Sequence, residues 1–197
     1  MKKLEFYFDL SSPYAYLAHK QLPALQQKYK VDVVWRPMLL GGVFKATNNK
    51  PPISVPAKGR YLHHDLQRSA KQLNIKFQIS PHFPINSLPL MRGAMVLQAT
   101  QPEKFMPYIN AMFDAIFADG KPMGEQAAIA EVLAELGIDA QQFAADIATP
   151  ENKQLLIEAT DKALELGIFG APSFIIDGEM YWGADRLASI EKLLTPA

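Results

Sequence analysis

Residues 6–18 decide the fold, and they read Phe-Tyr-Phe-Asp-Leu-Ser-Ser-Pro-Tyr-Ala-Tyr-Leu-Ala. The aromatic, alternating residues 4–10 predict a strand, and apolar residues recur at helical spacing over residues 14–29. Between these segments, Ser12-Pro13 is typical of a helix N-terminus. We therefore expect a strand that stops where a helix begins. Such a junction favours an anion, because free backbone N–H groups and the positive end of the helix dipole meet there.

The chain contains no cysteine, which excludes disulfides, thiolate metal sites and a built-in redox dithiol. A helix start of this kind lowers the pKa of a thiol placed on it. Any such thiol would have to arrive on a ligand, and the Ser12 hydroxyl would receive it. Taken alone, Ser12-Pro13 indicates a structural helix cap more readily than a catalytic group.

The composition of the 197 residues is that of a globular protein, with twenty basic and twenty acidic side chains that cancel. No global field would attract nucleic acid or an anionic membrane surface, so neither is expected as a partner. Glu5 and Asp9 interrupt any signal-peptide core, and no apolar run approaches the roughly 20 residues of a membrane span. The expectation is a soluble cytoplasmic protein.

The four histidines do not predict a metal site. His63 and His64 are adjacent on an expected helix and would point about 100° apart, so they cannot chelate one ion together. His19 and His82 are isolated in the sequence. We expect all four to be surface or structural residues and no metal to be bound.

The rest of the chain predicts three blocks. A β-branched strand over residues 31–35 completes a strand–helix–strand unit with parallel strands. The glycine- and proline-rich stretch over residues 41–56 is too polar and irregular for a regular element and is expected to be a loop. The helical segments that follow are expected at residues 59–73, 88–100, 102–118, 125–136, 140–147 and 150–166.

The C-terminal block returns to β structure. Strands are expected at residues 173–177 and 180–182, joined by Asp177-Gly178, a strong hairpin signal, and a last helix at residues 187–194. The sum is an α/β protein, a thioredoxin-like fold of order βαβ…ββα interrupted by an all-helical insertion. Residues 1–57 and 150–197 would form the thioredoxin-like domain, and residues 58–149 the insertion domain.

Two further features suit a ligand in that architecture. The proline that opens the hairpin strand, Pro172, is expected to be cis and to face the helix start, so that the Ala171 backbone can pair with a bound peptide as an added strand would. Asp185 is expected to cap the last helix, and its carboxylate can also hold a ligand ammonium group. A lysine near the site, such as Lys58, can pair with a carboxylate.

Read together, five stretches resemble the kappa-class glutathione transferases and the related 2-hydroxychromene-2-carboxylate isomerases. The resemblance covers almost the whole chain. The stretches that carry it are residues 6–14, Asn49-Lys50-Pro51-Pro52, residues 56–62 with Asp65-Leu66, Phe169-Gly170-Ala171-Pro172, and residues 182–187.

The resemblance implies glutathione as cofactor and a role for each matching residue. Ser12 would hydrogen-bond the glutathione sulfur, while Asn49 and Lys58 would hold its glycine end. Ala171, before Pro172, would pair with the cysteinyl moiety. Asp185 would hold the γ-glutamyl end, together with the helix start around Ala184 and Arg186. Position 11 is usually apolar in the family, so Ser11 is an alternative to Ser12, and Ala184 replaces a residue that is often polar.

The function implied is a glutathione-dependent isomerase acting on 2-hydroxychromene-2-carboxylate or a similar aromatic-degradation intermediate. The first alternative is a kappa-type transferase that conjugates or reduces electrophiles and shares every site residue. The second, from another class, is a redox-dead thioredoxin-like module that binds peptides along the Pro172 edge. The resemblance also implies a homodimer and a small aromatic or electrophilic substrate.

Overall fold

The computed structural model describes residues 2–195, and its centre is a four-stranded sheet of order β2-β1-β3-β4. The strands are β1 (Lys3–Phe8), β2 (Asp32–Pro37), β3 (Ser173–Ile176) and β4 (Glu179–Trp182). β1 pairs parallel with β2 and antiparallel with β3, and β3 pairs antiparallel with β4. The predicted parallel strand–helix–strand unit is confirmed.

Helices account for most of the remaining described chain. They are α1 (Pro13–Tyr29), α2 (Leu40–Ala46), α3 (Pro56–Gln72), α4 (Leu88–Thr100), α5 (Pro102–Phe117), α6 (Gln126–Glu135), α7 (Ala140–Asp146), α8 (Pro150–Glu165) and α9 (Leu187–Leu194), with 3₁₀ turns at Pro52–Ser54 and Ala184–Arg186. The predicted α/β class and its βαβ…ββα order with intervening helices are confirmed.

Local capping and turn signals explain the element boundaries. The Ser12 side chain accepts from Ala15 N at the start of α1, and Thr149 accepts from Asn152 N at the start of α8. The hairpin between β3 and β4 places Asp177 and Gly178 at φ 51° and 82°. A two-residue turn with both residues in the left-handed region matches the twist of the flanking strands.

The loop predicted for residues 41–56 is partly wrong, because α2 occupies Leu40–Ala46. Two glycines near its start lower helix propensity, so the local sequence argues against a helix. The helix is held by α8 instead: Leu39 N donates to Thr160 Oγ1 at 3.0 Å, and the position of a Gly42 Cβ lies 3.3 Å from Thr160 Cγ2. Tertiary contact overrides the local preference.

The predicted role of Asp185 as cap of the last helix is also wrong. Asp185 lies inside a 3₁₀ turn that starts after Gly183, and α9 begins at Leu187 without a side-chain cap. Arg186 N donates to Gly183 O at 3.2 Å, so the turn closes through its backbone. The Asp185 carboxylate therefore does not cap α9 and pairs with Arg186 instead.

One hydrophobic cluster joins the sheet to the helices that lie between β2 and β3. On β1, Phe6 and Phe8 point to the same face and stack with centroids 5.2 Å apart, and Phe6 also stacks on Phe174 of β3. Phe113 of α5 packs against Phe8 at 5.9 Å. The division into domains at residues 57/58 and 149/150 stays a prediction.

In residues 2–195, no helix has both the length and the apolarity for a membrane crossing. No group of three or more potential metal-binding side chains comes together in that range.

His19 is a buried structural residue. Trp35 Nε1 donates to His19 Nδ1 at 3.1 Å, so the ring proton lies on Nε2, which donates to Asn110 Oδ1 at 2.7 Å. Burial lowers the pKa of His19 to about 4, against the weaker opposing effect of the Asn110 hydrogen bond. A second proton on the His19 ring would lie on Nδ1 and face the Trp35 N–H, so that two donors would oppose each other.

This burial predicts a pH dependence of stability. Between the unfolded pKa of about 6.5 and the folded value, only the unfolded state binds the His19 proton, so the free energy of unfolding falls as pH falls. Over that window the loss amounts to about 3 kcal/mol. Urea unfolding from pH 7 to pH 4 should therefore show a steeper decline for the natural chain than for His19→Gln. The exposed His82→Gln is the control and should follow the natural chain; equal slopes in all three proteins would contradict the account.

Candidate active site

The Ser12 hydroxyl joins the start of α1 to the turn before β3. Its Oγ accepts from Ala15 N at 3.2 Å and donates to the Ala171 carbonyl oxygen at 3.0 Å. The side chain is almost fully buried, with 4% of the Ser12 surface exposed. The hydroxyl therefore caps the helix and also touches the residue that precedes Pro172. A small rotation of the O–H bond would redirect its proton to a ligand atom beside Ala171.

Asp9 fixes the conformation of this junction. Its buried carboxylate accepts from Ser11 N at 2.8 Å and from Ser11 Oγ at 2.9 Å, and its other oxygen accepts from Leu40 N at 2.7 Å. Burial raises the pKa of Asp9, and the hydrogen bonds to Ser11 and Leu40 oppose the rise. The Ser11 hydroxyl is directed to Asp9, whereas the Ser12 hydroxyl is directed to Ala171.

The turn from Gly170 to Pro172 is packed tightly against β4. The Ala171–Pro172 peptide bond is cis, as predicted. Gly183 N donates to the Pro172 carbonyl at 3.0 Å. A Cβ on Gly170 would lie 2.6 Å from Trp182 Nε1, so a side chain at this position would push the indole away.

Ala171 presents a free backbone donor. Its carbonyl accepts from Ser12, but within residues 2–195 its N–H donates to no protein atom. An unpaired donor of this kind can pair with the backbone of an extended peptide.

A cleft of about 810 Å³ opens beside this turn, between α1, α3 and the segment from Trp182 to Ala188. It brings together five of the residues singled out in the sequence, namely Ala171, Pro172, Ala184, Asp185 and Arg186. Ser12 is not among the residues that line the cleft, but its hydroxyl is hydrogen-bonded to Ala171, which does line it. This volume lies in the range of small-molecule sites.

Asn49 and Lys58 are not part of the cleft lining. Asn49 Nδ2 donates to Phe169 O at 3.3 Å, which ties its loop to the turn before Pro172. Lys58 is exposed in the first turn of α3 and forms no ion pair within the described chain. The structure thus connects Asn49 to the segment that precedes the Ala171–Pro172 turn and places Lys58 on α3, a helix whose other residues line the cleft.

The cleft is also lined by a polar network between α1 and α3, whose role the sequence did not assign. Tyr14 donates to Asp65 Oδ2 at 2.7 Å, Tyr61 donates to Asp65 Oδ1 at 3.3 Å, and Arg68 pairs with the same oxygen at 3.2 Å. Burial, followed by the Asp65 hydrogen bond, raises the pKa of Tyr14. Tyr14 therefore stays protonated at neutral pH. The spacing of Tyr61, Asp65 and Arg68 on one helix face was the available signal.

Asp185 and Arg186 form an exposed ion pair at the mouth of the cleft. The preceding Gly183 has φ 111°, and a Cβ there would lie 2.6 Å from Asp185 Oδ1. Glycine is thus needed to let the carboxylate fold back over the turn. In this arrangement one acidic and one basic group are offered to a charged ligand.

The chain is similar to known proteins along nearly its whole length. The family model of the DSBA-like thioredoxin domain matches residues 3–195. Glutathione S-transferase kappa 1 of Homo sapiens is 30% identical over 209 residues, covering 98% of this chain and 91% of that protein. A 2-hydroxychromene-2-carboxylate isomerase of Pseudomonas sp. (strain C18) is 30% identical over 190 residues, covering 95% of this chain and 88% of that protein.

A solved structure has the same fold over the same extent. It is that of a 2-hydroxychromene-2-carboxylate isomerase, with a TM-score of 0.87, 28% sequence identity, and coverage of 98% of this chain and 94% of that one.

The structural role of the Asp9 carboxylate can be tested with a matched pair of variants. Asp9→Asn keeps one acceptor oxygen, so its amide NH₂ must face a donor, either Leu40 N–H or the Ser11 groups. We expect the free energy of unfolding to fall by about 1–3 kcal/mol in urea titrations. Ser11→Ala leaves both backbone bonds intact and should cost less than Asp9→Asn. If Ser11→Ala lowered the free energy of unfolding as much as Asp9→Asn, the backbone hydrogen bonds of Asp9 would not be what fixes this junction.

Proposed function

This chain belongs to the DSBA-like thioredoxin family, and on that premise we propose that it is a glutathione-dependent isomerase. Its substrate would be 2-hydroxychromene-2-carboxylate or a similar aromatic-degradation intermediate. The relatives named above are enzymes, an isomerase and a glutathione transferase, and both align over nearly the full length. The isomerase is favoured because a solved isomerase has the same fold at a TM-score of 0.87.

The observation that carries the proposal is a thiol-type site in a chain that has no cysteine. A buried hydroxyl at the N-terminus of a 17-residue helix touches the residue before a cis-proline, beside a large cleft. Hydroxyl donors and helix N-termini stabilise a thiolate. The protein supplies the setting for a thiolate, and the sulfur would come from a bound ligand.

The residues around the cleft fit a tripeptide such as glutathione. The free Ala171 N–H suits a peptide backbone, and the Asp185–Arg186 pair suits the ammonium and carboxylate of a γ-glutamyl group. The residues that would hold the ligand are Ser12, Asn49, Lys58, Ala171, Pro172, Ala184, Asp185 and Arg186. Asn49 and Lys58 are assigned the glycine end by the resemblance to the family, and both lie outside the cleft lining.

Bound glutathione would supply a thiolate for reversible addition to a conjugated carbon, which permits opening of the chromene ring and rotation about the former double bond before the sulfur leaves. Ser12 acts as a hydrogen-bond donor to that sulfur and not as a nucleophile, so no covalent link to the protein is expected. Tyr14, whose hydroxyl donates to Asp65, lines the space left for the substrate. A homodimer in the cytoplasm completes the proposal.

The second candidate is a kappa-type transferase. It is supported by the 30% identity to a kappa enzyme, which extends over nearly the whole chain. It uses the same residues and differs only in what fills the cleft beside the thiolate.

Ser12→Ala should lower kcat by about 100-fold or more, the usual cost of removing one hydrogen bond to a charge-bearing atom. Because the same change removes a helix cap, about 1 kcal/mol of stability should also be lost, and urea unfolding will separate the two effects. Ser11→Ala is the matched control and should retain turnover. Activity that survives in Ser12→Ala and disappears in Ser11→Ala would transfer the role to Ser11.

Glutathione binding is tested without any substrate by thermal unfolding. At a glutathione concentration of about 100 times Kd, the folded state gains about 2.7 kcal/mol, and each kcal/mol raises Tm by about 2–4 °C in a chain of this size. The oxygen analogue of glutathione, with serine in place of its cysteine, should shift Tm less. A Tm independent of glutathione would reject both enzymes and favour the peptide-binding module.

The two enzyme candidates are separated by assay with 2-hydroxychromene-2-carboxylate and with 1-chloro-2,4-dinitrobenzene, both in the presence of glutathione. The isomerase is expected to turn over the chromene with the higher kcat/KM. Faster turnover of the dinitrobenzene would establish the transferase instead.

A further inference from the structure

A second cavity lies between α2, α4 and α8 and shares no lining residue with the cleft. We call it the α2–α8 groove; its volume is about 510 Å³. Half of the residues that line it have aliphatic side chains. They are Leu39, Ala46, Leu88, Leu156, Ile157 and Leu164. Leu156 forms the buried floor, whereas Ile157 is 51% exposed and lies at the rim. The groove thus has the size and the apolar lining of a small-molecule site.

The charges around the groove are mostly positive. Lys45, Arg92 and Lys153 line it, against one acidic residue, Asp161. None of these four side chains forms an ion pair in the part of the chain that the structure describes. The groove therefore has an excess of two positive charges and no internal partner for them.

Arg92 provides an independent observation. Its Nε is buried and, among the described residues, is the one buried side-chain nitrogen or oxygen without a hydrogen-bond partner. A buried donor on a charged group costs free energy unless an acceptor meets it, and such groups in native structures call for an explanation. The two outer nitrogens of the Arg92 guanidinium are not buried, and an anionic oxygen bound in the groove would accept from them in charge-assisted hydrogen bonds.

We propose that the α2–α8 groove binds an amphiphilic organic anion, a carboxylate or sulfonate carried on an aliphatic or aromatic body. The anionic group lies against Arg92 and Lys153, and the apolar body covers Leu156 and Ile157. An inorganic anion would leave the aliphatic lining exposed, and a neutral apolar molecule would leave the three cations unpaired. The chemistry of the lining selects a ligand that has both parts.

The test uses the full chain and two probes, 1-anilinonaphthalene-8-sulfonate and dodecanoate. We expect saturable binding of the fluorescent sulfonate with one site at the groove, displaced by dodecanoate and not by dodecanol at equal concentration. Displacement by dodecanol as effective as by dodecanoate would overturn the anionic part of the proposal. Absence of saturable binding to the natural chain would overturn the proposal as a whole.

Two variants at the rim keep the test independent of folding. Ile157→Asp and Lys153→Glu change side chains that are exposed or half-buried, and each should weaken sulfonate binding by tenfold or more. Arg92→Gln should do the same. Lys192→Gln on α9, an exposed cation that does not line the groove, is the control and should bind as the natural chain does. Unchanged binding in both rim variants would place the probe elsewhere and overturn the proposal.

Discussion

The hydrogen bond from Ser12 Oγ to the Ala171 carbonyl is the interaction on which the site depends. It joins residues 159 positions apart in the chain, at the start of α1 and at the turn into β3. The sheet makes this possible, because Tyr7 of β1 pairs with Ser173 of β3, so both junctions leave the sheet at the same end. The register of one strand pair thus sets the distance between the hydroxyl and the cis-proline turn.

The same hydrogen bond defines what the serine can do. Ser12 Oγ already accepts from Ala15 N, so the hydroxyl is held in place as a helix cap, and its proton, which it donates to the Ala171 carbonyl, can be redirected to a ligand. Within the described chain, no histidine is hydrogen-bonded to Ser12, so no imidazole is placed to remove this proton. The buried His19 is bonded to Trp35 and Asn110 inside the core. A serine of this kind hosts a negative charge and is not activated for attack. The absence of cysteine from the chain fits the proposed role, in which the reactive sulfur comes from a bound ligand.

Local signals in the sequence were sufficient for the strands, the hairpin and most helices, since caps, prolines and apolar spacing act within a few residues. What the sequence missed depends on distant contacts. The helix α2 contains two glycines and exists because Thr160 of α8 meets Leu39. The link between Tyr14 and Asp65 spans 51 residues and needs α1 and α3 to be packed together. Asp185 was predicted to cap the last helix because aspartate is common at helix N-termini. A 3₁₀ turn that follows Gly183 contains Asp185 instead, and the helix begins at Leu187.

The central claim is that the Ser12 junction stabilises the thiolate of a bound ligand, and the pKa of that thiol tests it most directly. The ultraviolet absorbance of the thiolate can be titrated against pH in the complex of the protein with glutathione. A free thiol titrates near 8.5. We expect the bound thiol to titrate well below that value in the natural chain and to return towards it in Ser12→Ala. A bound thiol that titrates at the free value, or at the same value in both proteins, would contradict the account.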